Sequence, residues 1–170
     1  MHVRTLQPED VANYQALRLR GLAEAPTAFA SSYEEEVNTP LAEAGRRLQT
    51  RDSGAIFGAF AEGQLAGLAG IERESMTKLG HKAYLWGMYV SPEHRRSKVG
   101  SLLLQQVLPY AWRSLGVAQV NLGVHTENAG AITLYRRFGF VVWGTEIGAL
   151  VVAGNPQDEH HMVCRAPSAA

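Results

Sequence analysis

Residues 83–90 read AYLWGMYV and are apolar nearly throughout. A short run of that kind is a strand expected to be covered on both faces, since a strand with one wet face would alternate. Pro92 stands just past its end. After a short polar stretch, Val99, Leu103, Val107, Ala111 and Leu115 recur at helical spacing, and Gly116 supplies the stop. Residues 118–124 then return as a strand, with Val120, Leu122 and Val124 on one face. Strand, helix and strand in this order form a parallel crossover of right-handed sense. The rest of the chain must cover both faces of that central pair.

The flanks supply antiparallel partners. Val3 to Leu6 reads as a short edge strand, and Pro8-Glu9-Asp10 opens a helix that runs to about Ala23. Ser32 with Glu35 is a capping box, and Thr39-Pro40 predicts a second helix over 40–50. The period then changes to two. Ala55 to Ala61 and Gln64 to Glu72 are strands joined by a turn at Glu62-Gly63. Asn128 caps a short helix ending at Gly139, and Phe140–Trp143 and His161–Cys164 close the chain as strands. The fold class is therefore α/β: one domain over 1–165, a mixed, mostly antiparallel sheet with flanking helices, and a frayed tail at 166–170.

Composition narrows the partners. The 170 residues hold 16 Lys+Arg against 16 Asp+Glu, which argues against a general nucleic-acid or electrostatic membrane binder. Cys164 is the only cysteine, so no internal disulfide forms. No apolar run reaches the ~20 residues of a membrane span, and the N-terminus lacks a signal-peptide core. A cytoplasmic protein is expected. Asp158, Glu159, His160 and His161 have the composition of a metal cluster, but nothing fixes ligand geometry and a turn before the last strand is expected; no metal is assigned.

Against this neutral background, His94, Arg95, Arg96 and Lys98 gather where the 83–90 strand gives way to the helix at Val99. The first turn of a helix presents unpaired N–H groups and about half a positive charge. Cations added there make an anion site suited to phosphate or pyrophosphate, and Gly100 lets a ligand approach the backbone. Neither a Walker loop nor G-x-G-x-x-G is present. A second segment, NAGAITLYRRFGF at 128–140, puts Asn128, Ala131 and Tyr135 on one helix face. The small residue between two polar ones suits a narrow ligand crossing the helix.

Together these segments resemble the GCN5-related N-acetyltransferase (GNAT) superfamily, in a bacterial-type group of unassigned substrate. Arg95-Arg96-Ser97-Lys98-Val99-Gly100 fills the register of its phosphate signature, Q/R-x-x-G-x-G/A, with Lys98 where glycine is usual. Asn128, Ala131, Leu134, Tyr135, Gly139 and Phe140 match its later segment, N-x-x-A-x-x-L-Y-x-x-x-G-F. LWGMYVSPEHRR, WGTE and DEHHMV narrow the resemblance to the bacterial-type group.

The resemblance implies acetyl-CoA as co-substrate and transfer of acetyl to an amine by direct attack. It implies that the strands at 83–90 and 118–124 splay apart, with a bulge at Gly87. The implied cofactor residues are Met88, Tyr89, Val90, Arg95, Arg96, Ser97, Lys98, Val99, Gly100, Ser101, Asn128, Ala131 and Tyr135. Tyr135 is the implied general acid for the CoA thiolate, because a phenol of pKa near 10 keeps its proton at pH 7. The base is open among Glu72, Glu74, His81 and His125, with Glu72 preferred. The acceptor wall falls on 24–36 and 144–158. The acceptor is a small-molecule or peptide amine, and homodimerisation is left open. Two alternatives stand beside this reading: a protein N-terminal acetyltransferase, and a non-catalytic acyl-CoA-binding sensor.

Overall fold

A computed structural model describes residues 1–49 and 51–167. In chain order the elements are β1 (His2–Thr5), α1 (Val11–Glu24), α2 (Tyr33–Glu36), α3 (Leu41–Arg46), β2 (Gly54–Ala61), β3 (Gln64–Arg73) and β4 (Lys82–Val90). They continue with α4 (Val99–Arg113), β5 (Gln119–His125), α5 (Ala129–Arg137), β6 (Val141–Val152) and β7 (Asn155–Arg165). The strands make one 7-stranded sheet in the order β1-β2-β3-β4-β5-β7-β6. β4 and β5 run parallel, and every other pairing is antiparallel.

Each face of the sheet has its own core. α4 lays Leu103, Leu104 and Val107 against Ala69, Ile71 and Val120, all buried. On the opposite face α1 brings Tyr14, Leu17 and Leu22 onto Phe60, Leu68 and Tyr89. Burying each of the larger aliphatic side chains is worth about 1.5–3 kcal/mol, so these two layers fix the helices to the sheet. The Asp10 carboxylate ties the start of α1 to β1, accepting from Arg4 Nη1 at 2.6 Å and Nη2 at 2.8 Å and from the Gln7 amide at 2.8 Å.

The central pair opens where the resemblance implies. β4 and β5 are in register only from Lys82↔Gln119 to Tyr84↔Asn121. Beyond that point they diverge. Gly70 pairs with Trp86 and Leu68 with Tyr89, so Gly87 and Met88 together face Ala69 as a bulge, with Gly87 at φ 60°. Glycine takes that backbone without the strain an L-residue would carry. The expected cover on both faces of β4 holds for Ala83, Leu85 and Tyr89, which are buried, but Tyr84 is exposed and Trp86 and Met88 are half-buried. Trp86 on the α1 side and Met88 on the α4 side border the gap that β5 leaves.

Three further expectations are corrected. The helix expected over 40–50 spans only Leu41–Arg46 among the described residues, and residue 50 lies outside them. Pro40 stays extended at ψ 144° as its N-cap, and Thr39 caps nothing. Residues 158–161 belong to β7, because the chain reverses earlier, at Ala153 (φ 49°) and Gly154 (φ 79°). The tail is held at Ala166, whose amide donates to the Ala118 carbonyl at 2.9 Å, and residues 168–170 lie outside the described ones. No helix among the described residues is long and apolar enough to cross a membrane.

Candidate active site

Two cavities adjoin in the gap between β4 and β5. The outer one, ≈ 670 Å³, runs along Met88, Tyr89 and Val90, past the basic loop, to the start of α5. Arg95, Arg96 and Lys98 border it as exposed cations, and Val99, Gly100 and Ser101 contribute the first turn of α4. Among the described residues no side chain caps α4, so the amides of that turn are open to a ligand. The loop is held from behind. Arg20 donates to both Glu93 oxygens at 2.7 and 2.9 Å, and Arg95 Nε donates to the Val90 carbonyl at 3.1 Å. Gly100 is at a close approach, since a Cβ there would come within 2.7 Å of Leu134 Cδ2 and 3.3 Å of Met88 Cε.

α5 forms the opposite wall. Asn128 Oδ1 accepts from the Ala131 amide at 3.1 Å and starts the helix. The other end is closed by two bonds of 3.1 Å, from Gly139 to the Arg136 carbonyl and from Phe140 to the Tyr135 carbonyl, with Gly139 at φ 85°. This is the Schellman arrangement expected from the sequence. It fixes Tyr135, which is 7% exposed and packs its ring 5.6 Å from Phe140. Its hydroxyl donates to Met88 Sδ at 3.5 Å, so a sulfur already lies within its reach. Burial pushes the phenol well above its ordinary value, with Tyr84 adding to the effect.

The inner cavity, ≈ 280 Å³, continues from Tyr135 between the diverging strands. Tyr84 of β4, His125 of β5 and Glu159 of β7 reach it. Gly123 makes room for them: a Cβ there would lie 2.9 Å from Glu159 Oε2 and 3.0 Å from the Tyr84 hydroxyl. Burial raises the Glu159 carboxyl above its ordinary value; His161 and His125 pull against this and Glu146 adds to it. Among the described residues no donor bonds that carboxylate. His125 Nε2 shares a hydrogen bond of 2.9 Å with Gln157 Oε1. The remaining wall is Phe29, Trp86 and the guanidinium of Arg18.

Of the residues singled out in the sequence, Met88, Tyr89, Val90, Arg95, Arg96, Lys98, Val99, Gly100, Ser101, Asn128, Ala131 and Tyr135 all line the outer cavity. Ser97 and Glu72 line neither cavity. Ser97 is exposed in the turn before α4. Glu72 takes a hydrogen bond from Ser53 Oγ at 2.5 Å and one from Arg51 at 3.3 Å, away from Tyr135, which removes the geometric basis for its role as base. Glu74 and His81 are likewise absent from both linings. Arg18, Tyr84 and Glu159 were not anticipated as site residues. Tyr84 and Trp86 alternate along one face of β4, which was the available signal for Tyr84; the bulge at Gly87 then turns Met88 to the other face. Among the described residues no group of three or more His, Cys, Asp or Glu side chains is placed to hold a metal. Instead His160 bonds Thr145 at 2.8 Å and His161 bonds Glu146 at 2.9 Å.

The chain is similar to known proteins in sequence and in fold. Streptothricin acetyltransferase from Streptomyces lavendulae is 30% identical over 125 residues, 74% of this chain and 64% of that protein. The chain spans between 47% and 64% of the length of the curated relatives it matches. A GNAT-family acetyltransferase from Streptococcus pneumoniae has the same fold, with a TM-score of 0.86 at 24% identity over 96% of this chain and 98% of that one. A putative acetyltransferase from Salmonella typhimurium, solved with its cofactor acetyl-CoA, superposes with a TM-score of 0.82 at 20% identity, covering 100% of this chain and 96% of that one. The model of the acetyltransferase (GNAT) family matches residues 22–140, from the last turn of α1 through the basic loop to Phe140, and the chain belongs to that family.

Proposed function

We propose that the protein is an acetyl-CoA-dependent N-acetyltransferase acting on a small amine. One observation carries the reading: a basic outer cavity and a smaller inner one, walled by titratable groups, share Ala28, Met88, Asn128, Ala131 and Tyr135. The outer cavity suits the cofactor. Open amides of α4, with Arg95, Arg96 and Lys98, would hold the pyrophosphate, and the β4 edge beyond Tyr84, without a β5 partner, offers amide groups to an extended pantetheine arm. That arm would direct the thioester toward Tyr135.

In this reading Glu159 takes the first proton of the acceptor's ammonium and frees its lone pair. The nitrogen then forms the C–N bond while the C–S bond breaks. The amide nitrogen sheds its second proton to solvent, and the departing sulfur takes one from Tyr135, which solvent restores. A buried phenol with a raised pKa stays protonated at neutral pH. It therefore acts first as a hydrogen-bond donor to the developing thiolate, with proton transfer completed as the thiol leaves. Glu159 replaces Glu72 as base because it borders the cavity and has a raised pKa. The relatives' named substrates, streptothricin and spermidine, are amines. An inner cavity of ≈ 280 Å³ favours a small amine over a protein N-terminus.

The test is calorimetric titration with acetyl-CoA beside 3′-dephospho-CoA and ATP, followed by thiol release with a panel of amines. Micromolar acetyl-CoA binding and amine-dependent thiol release are expected. Absence of acetyl-CoA binding refutes the cofactor site. Binding without release for any amine refutes the enzyme and leaves the non-catalytic sensor.

A further inference from the structure

Arg18 of α1 is 8% exposed and borders the inner cavity. Its Nε and Nη2 each donate to the Glu36 carboxylate at 2.6 Å, and Nη2 also donates to Ser31 Oγ at 2.9 Å. The rings of Phe29 and Trp86 lie 5.5 and 5.8 Å from its Cζ. The guanidinium is thus fixed in one plane. Nη1 has no partner among the described residues, and it lies over Gly87, where a Cβ would come within 3.3 Å of it. Gly87 is part of the same cavity wall. Among the described residues the only fully buried side-chain polar atom without a partner is the Tyr14 hydroxyl, so Nη1 stays open to the cavity, where an acceptor brought by a ligand can take the place of water.

The local charge has the same sense. Arg47 Nη1 bonds the same Glu36 carboxylate at 2.9 Å, so two guanidiniums share one carboxylate and the group carries a net positive charge. Glu159 stands on another wall of the cavity as the unpaired acid. A ligand complementary to both walls is dipolar, with its ammonium toward Glu159 and its anion toward Arg18. A fully cationic polyamine would set a second ammonium against the guanidinium.

We infer that Arg18 Nη1 is an anion-recognition point in the inner cavity, and that the acceptor is a small amine carrying a carboxylate. The word acceptor rests on the acetyl-transfer reading; the anion point does not. A charge-assisted hydrogen bond in a buried site corresponds to about 10- to 100-fold in affinity.

Two measurements test this. First, the wild type is assayed with the protein α-amino acids, each beside the amine left by its decarboxylation, and with spermidine. At least one amino acid is expected to exceed its bare amine about 10- to 100-fold in kcat/KM. Bare amines or spermidine used as well or better overturn the inference. Second, binding of the N-acetyl-amino acids, which need no turnover, is measured by calorimetry on the wild type and on R18M/E36M. The double change removes both partners of the buried pair, and a thermal melt checks its fold. Loss of probe binding by about tenfold or more, with acetyl-CoA affinity kept, supports the anion point. Probe binding unchanged by the double change, or absent from the wild type, overturns it. Failure of every amine to turn over, with probe binding that depends on Arg18, would sink the transferase and leave the anion point standing. Turnover without carboxylate preference or probe binding would do the reverse.

Discussion

Lys98 occupies the position at which the family signature usually carries glycine, and its backbone explains the usual choice. It is the N-cap of α4, with φ 63° and ψ 10°. That left-handed conformation costs an L-residue about 1 kcal/mol, and glycine would remove the cost. Glycine would also loosen the unfolded chain by about 0.4–1 kcal/mol. The two effects oppose each other, so Lys98→Gly should change stability by less than about 0.5 kcal/mol. Its effect on the cofactor has a different cause. The exposed ammonium stands at the open amides of α4, where a screened contact with a phosphate is worth up to about 1 kcal/mol, or about fivefold in Kd. Lys98→Gly and Lys98→Ala should therefore weaken acetyl-CoA binding alike, by about three- to fivefold, and the difference should shrink as salt is raised. Calorimetric titration at two salt concentrations, beside denaturant unfolding, reads both quantities. Tighter binding by Lys98→Gly with no gain in Lys98→Ala would refute the reasoning, since it would mean that the lysine backbone crowds the phosphate more than its charge attracts it.

Tyr135→Phe should cut kcat about 100-fold while acetyl-CoA affinity and melting temperature stay near wild type, because the hydroxyl's bond in this structure is a weak one to Met88 Sδ. Rapid-mix thiol release beside calorimetry separates the two quantities. Glu159 must be ionised to act as base and its carboxyl is raised above 4.5, so the rising limb of kcat/KM against pH should lie above the usual carboxylate range. Glu159→Gln should abolish that limb, and a limb that survives in the variant assigns the base elsewhere. Glu36 works in the other sense. Burial alone would raise its carboxyl, but hydrogen bonds from Arg18 and Ser31, and then from Arg47, bring it to about 2. A lowered folded value gives stability that is present above the ordinary 4.5 and lost as pH falls toward about 2. The unfolding free energy from urea titrations should fall across that window by on the order of 2 kcal/mol, discounted for the solvent-exposed Arg47 arm, and Glu36→Gln should flatten the fall.

What the sequence made legible was whatever depends on short spacings. The strand at 83–90, the loop cations and the first turn of α4 lie within one crossover, so their order along the chain is also their order along the outer cavity. Asn128, Ala131 and Tyr135 lie within two turns of one helix, and Gly139 fixes where that helix ends. The inner cavity depends instead on pairings between distant segments. Glu159 meets Gly123 and Tyr84 only through the β5–β7 register that sets His125 against Glu159, and β7 itself starts from the Ala153-Gly154 hairpin that pairs it with β6. An alanine in the left-handed position hides a turn that asparagine would have announced. Arg18 reads as one more polar residue on an amphipathic helix until Glu36, brought in by the four residues of α2, pins two of its nitrogens and leaves the third over Gly87. Glu72 shows the converse. It pairs with Tyr84 in the strand register, one strand from the gap, yet Ser53 and Arg51 hold its carboxylate at the sheet's end. Spacing along the chain therefore carries the reading of what the protein binds, whereas strand register and a single buried ion pair carry the reading of which amine it accepts.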